Sequence, residues 1–469
     1  LGYDATNSTP RRRPPTQRLL SEDNHLPPRE RRKLVSTTRD LNRNFTLSAW
    51  AIRKHLDYVS TFTYQAKTGD KQLDADLETL MTEANRAENF DVAGRHSQAR
   101  FIRLTESCRT VDGDLLVLPM AGGQFQAIEG DRVTNPNGFA TGQDAKRFEG
   151  YENGVKVGLG GKALSYIVCK RAGALASNFE FEAFVDAAFA YLHGYFTRFD
   201  QVRGISPLAT AINEMQDIRE AKDYALAKMK VTQLFALAIY RQFTEQLTST
   251  ATQQTDDDPD DDDATSTERD IDFSRGPILL DLEDNEKAEF LESHSPSSEF
   301  LQFTTAMMAL ALKALDIPFS FYDEAHTNYS GARQAWLQYE QSADTKRADN
   351  LALLGWITRM QYADWILSGK LVLPRSYPIE KFMRAFEHIP TAMPWIDPLK
   401  EVTADLMAVE GRLDTRSNIV KRRSGRSFPD VISETAADEK EAADARVQLP
   451  VMAAKGVDLV AATETSQGK

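Results

Sequence analysis

The sequence has only two cysteines, Cys108 and Cys169, and neither has another cysteine or a histidine at metal-ligand spacing. Neither a disulfide framework nor a zinc site is indicated, and buried, inert thiols are expected, because free cysteine is among the most buried residue types. No uninterrupted apolar run approaches the roughly 20 residues needed to cross a bilayer, and the arginine-containing start lacks the apolar centre of a signal peptide. A cytosolic or particle-assembled protein is expected, with no membrane partner. Positive charge is also short. A formal charge of -13 argues against a high-affinity nucleic-acid binder, which needs basic surface to release counterions from phosphates. DNA remains open as a passing client: each neutralised phosphate adds affinity and resists movement, so an acidic wall favours sliding.

Catalytic motifs are missing too. The histidines His25, His55, His96, His193, His294, His326 and His388 are scattered, with no HExxH, GxSxG or Walker pattern and no nuclease-like carboxylate pair on a clear strand. The expectation is no enzyme, no catalytic residue, no metal and no cofactor, although groups distant in sequence can still converge in space. Gly158 to Gly161 lacks the Lys-Ser/Thr ending of a phosphate loop and has strand-like flanks, so a hairpin turn is expected.

What is present is a globular composition, 41% hydrophobic and 27% charged over 469 residues, enough for two or more sub-domains. Residues 1–45 are rich in proline, arginine and small polar residues (Arg11, Arg12, Arg13, Pro14, Pro15, then Arg29, Arg31, Arg32, Lys33) and read as an extended arm. Helical spacing follows over 41–61 and 73–104. Short β-like runs at Leu115–Leu118, Phe125–Ile128 and Ala163–Val168 are separated by glycine-rich turns. Ser206 as N-cap and Pro207 at the first helical position open a long amphipathic helix through Leu208, Ile212, Met215 and Ile218.

Residues 243–272 carry the run Asp256, Asp257, Asp258, Asp260, Asp261, Asp262 and Asp263. It lacks the glycine and distal glutamate of a calcium loop and reads as a solvated, self-repelling loop. A strand is expected at Pro277–Leu280. Helices then dominate: about 299–315, with an apolar centre (Phe303, Met307, Met308, Leu310) that predicts burial in a packed assembly, and a longer one from Ser330 to near Leu367, ended by Gly369. Its tryptophans are expected in the core. The final region reads as helical, with a basic patch at Lys421, Arg422, Arg423 and Arg426 before an acidic tail.

Five stretches in order resemble the lambda family of tailed-phage portal proteins: Arg39–Asn44; Gly154–Val157 with Gly161–Ala163 and Ser165–Tyr166; His193 with Asp200–Ala209; Asn328–Arg333; and Trp395–Glu401. The acidic loop at 256–263 and Gly331, where the family more often has serine, depart from the pattern. The resemblance implies an α+β, mostly helical portal fold assembled as a ring, typically of twelve subunits. It implies a β-rich wing (46–205), a stem helix (206–232), a small α/β clip (233–297), a second stem helix (298–316), a tunnel loop (317–329), the long wing helix and following segment (330–402) and a crown with the tail (403–469). The implied role is the channel for DNA packaging and ejection at one capsid vertex of the virion, with terminase, the head-tail connector and the major capsid protein as partners. On that plan Lys222, Lys228, Lys230, Asp323, Glu324, His326, Asn328 and Tyr329 are the DNA-channel candidates, touching double-stranded DNA without reading it. The aspartates of 256–263 are the clip docking candidates. The competing readings are a Mg²⁺-dependent DNA-processing enzyme using those aspartates, and a head-to-tail adaptor, which is usually a much shorter chain.

Overall fold

The computed structural model describes residues 20–136, 145–173, 179–234, 237–241, 286–290, 298–323, 329–374, 377–391 and 398–445. The acidic run 256–263 and the strand expected at 277–280 lie outside them. Two compact units are present, one of 1–213 with 309–469, the other of 214–308.

The first unit opens with α1 (Glu22–His25), α2 (Pro28–Asn44) and α3 (Thr46–Val59). This corrects the extended arm of 1–45 in its described part: Pro28 suits a first helical turn, and α2 buries Val35, Thr38 and Leu41. Strand β1 (Phe62–Ala66) follows, and then α4 (Lys71–Ala84), α5 (Ala87–Phe90) and α6 (Gln98–Asp112). The helix expected over 73–104 is thus broken, because Asn85 caps α4 and Gly94 takes a positive φ before Ser97 starts α6 with its hydroxyl on the Arg100 N–H.

Strands β2 (Asp114–Pro119) and β3 (Phe125–Glu129) form a hairpin. Strands β4 (Tyr151–Glu152), β5 (Val155–Val157), β6 (Ala163–Arg171) and β7 (Phe179–Asp186) make an antiparallel sheet, and β8 (Tyr191–Gly194) returns to pair with β2. Gly158 to Gly161 is the turn joining β5 to β6, as its strand-like flanks imply. Alternation along β2 divides the core. Leu115 and Val117 face a cluster with Phe101, Ile102, Leu353 and Ile357, whereas Leu116 packs with Ile128, Val155, Tyr166 and Val168 of the sheets.

The second unit holds most of α7 (Ile212–Leu234), the hairpin of β9 (Leu237–Arg241) with β10 (Glu286–Phe290), and most of α8 (Ser298–Leu312). The expected helix start at Pro207 is a 3-10 stretch, Pro207–Ala211, before α7. Along α8 the single chain leaves Leu301, Phe303 and Leu310 55%, 58% and 60% exposed, surface that the expected packed assembly would have to cover.

Back in the first unit, α9 (Tyr329–Leu367) runs 39 residues, about 58 Å at 1.5 Å per residue. Gly369 follows at φ +72°. Trp365 is buried with Tyr362 and Phe382 against Leu73, Leu77 and Met81 of α4. Helix α10 (Ile379–Phe382) leads to β11 (Phe386–Pro390), which pairs with β1. Helices α11 (Pro398–Glu410), α12 (Arg416–Ser424) and α13 (Phe428–Asp444) complete the described chain.

Candidate functional site

Asp114, the first residue of β2, is fully buried and is the hub of an ionic cluster. Arg203 places Nε on Oδ2 and Nη2 on Oδ1, both at 2.7 Å. Arg31 of α2 adds Nη2 at 3.0 Å, and the Gly204 N–H donates at 2.8 Å. Burial pushes this carboxyl upward, but Arg203, Arg31 and Gly204 outweigh it and hold it below the usual range. The remaining Arg203 donors reach the carbonyls of Gly130 and Asn153 at 2.7 Å, and that of Val133. Only a guanidinium, with five donors in a planar fork, can serve this set.

The backbone around Arg203 is shaped to fit. A Cβ on Gly204 would lie 2.3 Å from the Gly113 carbonyl oxygen, and Gly113 itself has φ +99°, so both positions require glycine. Ser206 donates to the Thr110 carbonyl at 2.6 Å while its Oγ accepts from the Leu208 N–H. Gln201 donates to the carbonyls of Arg203 and Tyr195. The stretch Gln201–Leu208 is a clasp binding α6, β2 and the turn after β3.

A second fork adjoins it. Arg39 donates to both Asp112 oxygens at 2.8 and 2.5 Å and reaches Glu129 and Asp131 at 3.2 and 3.3 Å. Arg171 at the end of β6 pairs with the same Glu129 and Asp131 at 2.5 and 2.7 Å. Three of the stretches that suggested a family, around Arg39, Gly154–Tyr166 and Arg203, therefore meet in one place. The other two are joined by Arg333 on Glu401 at 2.6 Å.

A separate network lies at the meeting of α3, α6, β8 and α9. Glu106 is fully buried and takes Arg109 in both oxygens at 2.9 and 3.1 Å, His55 at 2.7 Å, Tyr195 at 3.0 Å and Asn350 at 3.0 Å. His193 bonds Asn350 at 3.1 Å. Burial raises the Glu106 carboxyl but Arg109 and the histidines pull it well below the usual range, while burial lowers both His55 and His193. An ionised carboxylate among neutral imidazoles, closed to solvent, is a packing device: no substrate can reach it. This convergence of two distant histidines on one glutamate was not visible in the sequence, where they stand 138 positions apart on a helix and a strand.

The candidate channel residues are not brought together. Lys222, Lys228 and Lys230 are all exposed on α7. At 100° per residue Lys222 and Lys230 lie within about 80° of one another, and Lys228 is roughly 160° from Lys230. The three do not form one stripe. Asp323 ends a described segment whose start is packed, with Ile317 fully buried and Phe319–Phe321 in a 3-10 turn. Phe321 packs on Tyr58, Trp336 and Tyr339, and Tyr322 on Trp50. The expected loop of 317–329 is therefore anchored by aromatics over its first half. Glu324, His326 and Asn328 lie outside the described residues, as do Asp256, Asp257, Asp258, Asp260, Asp261, Asp262 and Asp263, while Tyr329 is the first residue of α9.

The basic patch at 421–426 is neutralised. Lys421 pairs with Glu387, Arg422 with Asp405 and Asp414, Arg423 with Glu401 and Asp405, and Arg426 with Glu434. Among the described residues no group of histidine, cysteine, aspartate or glutamate is placed to hold a metal ion, and no helix is long and apolar enough to cross a membrane. Cys169 is buried and Cys108 half-buried, and burial pushes their thiols up to about 11 and about 12.

The pattern of the phage portal proteins, lambda family, matches residues 11–347, well over half of the chain. The chain belongs to that family. No curated protein matches it. Among solved structures this portal-family chain is similar to one from the virion of a native gene transfer agent particle, at 15% identity and a TM-score of 0.45, covering 83% of this chain and 92% of that one. It is also similar to chains from the neck of an empty gene transfer agent particle, computed with C6 symmetry (14%, 0.45, 82% and 92%), and of a native one, computed with C12 symmetry (14%, 0.44, 82% and 92%). In this portal-family chain, then, the matched residues contain the whole cluster on Asp114 and all of the network on Glu106 except Asn350.

Proposed function

We propose that this portal-family protein is one subunit of a ring, typically of twelve copies, at one vertex of a phage-like capsid. The ring is the channel through which double-stranded DNA is packaged and ejected. It docks the packaging terminase, then the head-tail connector, and sits in the shell of the major capsid protein. The acidic run 256–263 is proposed as the clip surface those partners meet, where charge acts on encounter rate. The segment from Asp323 to Tyr329 is proposed to face passing DNA, together with Lys222 and Lys230, which lie within about 80° of one another on α7.

The observation that carries the ring is the apolar surface of α8. Phe303 and Leu310, seven residues apart, share one face, and Leu301 lies on the other; all three are more than half exposed. A helix apolar on opposite sides is stable when neighbours cover both, and a closed ring gives every subunit a neighbour on each side. Fully burying such a side chain is worth about 1.5–3 kcal/mol, so covering the part still exposed is worth roughly half of that.

Native mass measurement and negative-stain imaging of the full chain test this. Closed rings with a central channel are expected. A monomer that cleaves DNA with Mg²⁺ would replace the proposal with the enzyme reading.

A further inference from the structure

A cavity of about 350 Å³ runs along one side of α2 and is lined by six arginines: Arg31, Arg32, Arg39, Arg43, Arg171 and Arg203. Arg31 and Arg43 stand twelve residues apart on the helix, so the recess is about 18 Å long. An extended chain, rising about 3.3 Å per residue, fills that length with five or six residues.

The carboxylates around this recess do not match its positive charge. Asp114 already receives two Arg203 donors and is the one carboxylate hydrogen-bonded to Arg31 among the described residues, with Asp23 and Asp112 acting on Arg31 from further off. Asp112 pairs with Arg39 alone, while Glu129 and Asp131 are shared between Arg39 and Arg171. Arg32 bonds only the Pro28 carbonyl, and the Arg43 side chain is exposed with no polar partner among the described residues. Burial pushes the Arg31 guanidinium down to about 10 despite Asp114, and Arg203 adds to that push. The sequence points the same way: basic residues outnumber acidic ones in the first 45 positions of a chain whose formal charge is -13.

We propose that this recess is a docking site for an extended acidic peptide segment of another protein, whose carboxylates pair with Arg31, Arg32 and Arg43. The walls favour a peptide over a nucleic acid. Asp131 stands among the arginines and would repel a continuous row of phosphates, whereas separate carboxylates can sit beside it, each on its own fork. Val35, Val133 and Phe179 also line the recess and offer apolar contact to the methylenes of glutamate or to intervening side chains. A DNA duplex is too broad for a half-enclosed recess of this volume.

The test uses the full chain and a fluorescein-labelled peptide of alternating glutamate and valine, read by anisotropy. Saturable binding that weakens with added salt is expected, because exposed charges are screened within about 10 Å at 0.1 M. The double variant Arg32→Glu/Arg43→Glu changes two exposed side chains that hold no ion pair, and it should weaken binding by about tenfold or more, a change of about 1.4 kcal/mol. Circular dichroism checks that it is folded. A control with the same net charge, Arg100→Glu/Arg416→Glu, alters exposed arginines elsewhere and should keep the wild-type affinity. Equal loss in the control would reduce the effect to general charge attraction and overturn the proposal. So would failure of the peptide to saturate, or binding of a short single-stranded oligonucleotide in its place with loss in the Arg32/Arg43 variant.

Discussion

Arg203 ties the β-rich part together, because its five donors are divided between one buried carboxylate and three backbone carbonyls. Removing one partner of such a pair strands the other charge and the carbonyls away from water. Arg203→Ala should therefore cost on the order of 3–5 kcal/mol, read from the midpoint of urea unfolding. By contrast Lys170→Ala, which opens an ion pair with Glu180 whose side chains are both about 60% exposed, should cost less than about 1 kcal/mol. A similar loss in the two variants would refute the hub. The buried histidines set a pH dependence. Burial lowers His388 to about 4, and its Nε2 faces the Thr358 hydroxyl at 2.8 Å; an unfolded histidine titrates near 6.5. Below about 6.5 the unfolded chain binds a proton that the folded chain refuses until about pH 4, so stability is full above that window and falls as pH drops through it. His55 and His193 act in the same direction. The urea midpoint should fall between pH 7.5 and 5, and His388→Gln should flatten part of the fall; a flat wild-type profile would exclude it.

Close approach between elements makes the clasp intolerant of a single methyl. Gly204→Ala would force a Cβ to within 2.3 Å of the Gly113 carbonyl oxygen, and backbone cannot yield as a side-chain end can. Little soluble protein is expected from it, whereas Gly160→Ala, with nothing within 4 Å, should express normally despite a small strain from its positive φ. Solubility and melting temperature separate the two. The elements that could be read from the sequence are those whose burial follows a simple period. β2 and β6 carry runs of branched apolar residues, α9 its tryptophans, and Pro207 with Ser206 marks the way into α7. Helix α2 could not be read in this way, because its buried face includes Thr38 and is fastened by Arg31 and Arg39 rather than by an apolar stripe. β7 carries a period-two pattern in Phe179, Glu180, Phe181 and Glu182, which loses phase at Ala183 and Phe184. Pairing of β1 with β11, from Phe62 to Pro390, joins strands more than 300 positions apart, which no local signal reports. The same distance effect hid the cluster on Glu106, whereas Asp200–Ala209 was legible as a motif without its partner Asp114.

Assembly should depend on surface that a lone subunit leaves bare. Phe303→Glu with Leu310→Glu places charge on one exposed face of α8 without disturbing a buried contact in the subunit. The double variant should remain folded by circular dichroism but sediment as monomers or small oligomers, where the wild type is expected to sediment as rings. Rings of normal size from the variant would remove α8 from the interface. Leu301→Glu tests the opposite face in the same way.

The ionic cluster at Asp114 joins positions 31, 114 and 203, separated by 83 and 89 residues. Each of those loops must close before any of the charges finds its partner, and loop closure is an entropic cost met before the contact rewards it. The β-rich part of this chain therefore cannot lock from its amino end alone. Its locking step waits until Arg203, 89 positions beyond Asp114, has emerged, so truncations that end before it leave Asp114 with Arg31 as its one guanidinium partner among the described residues.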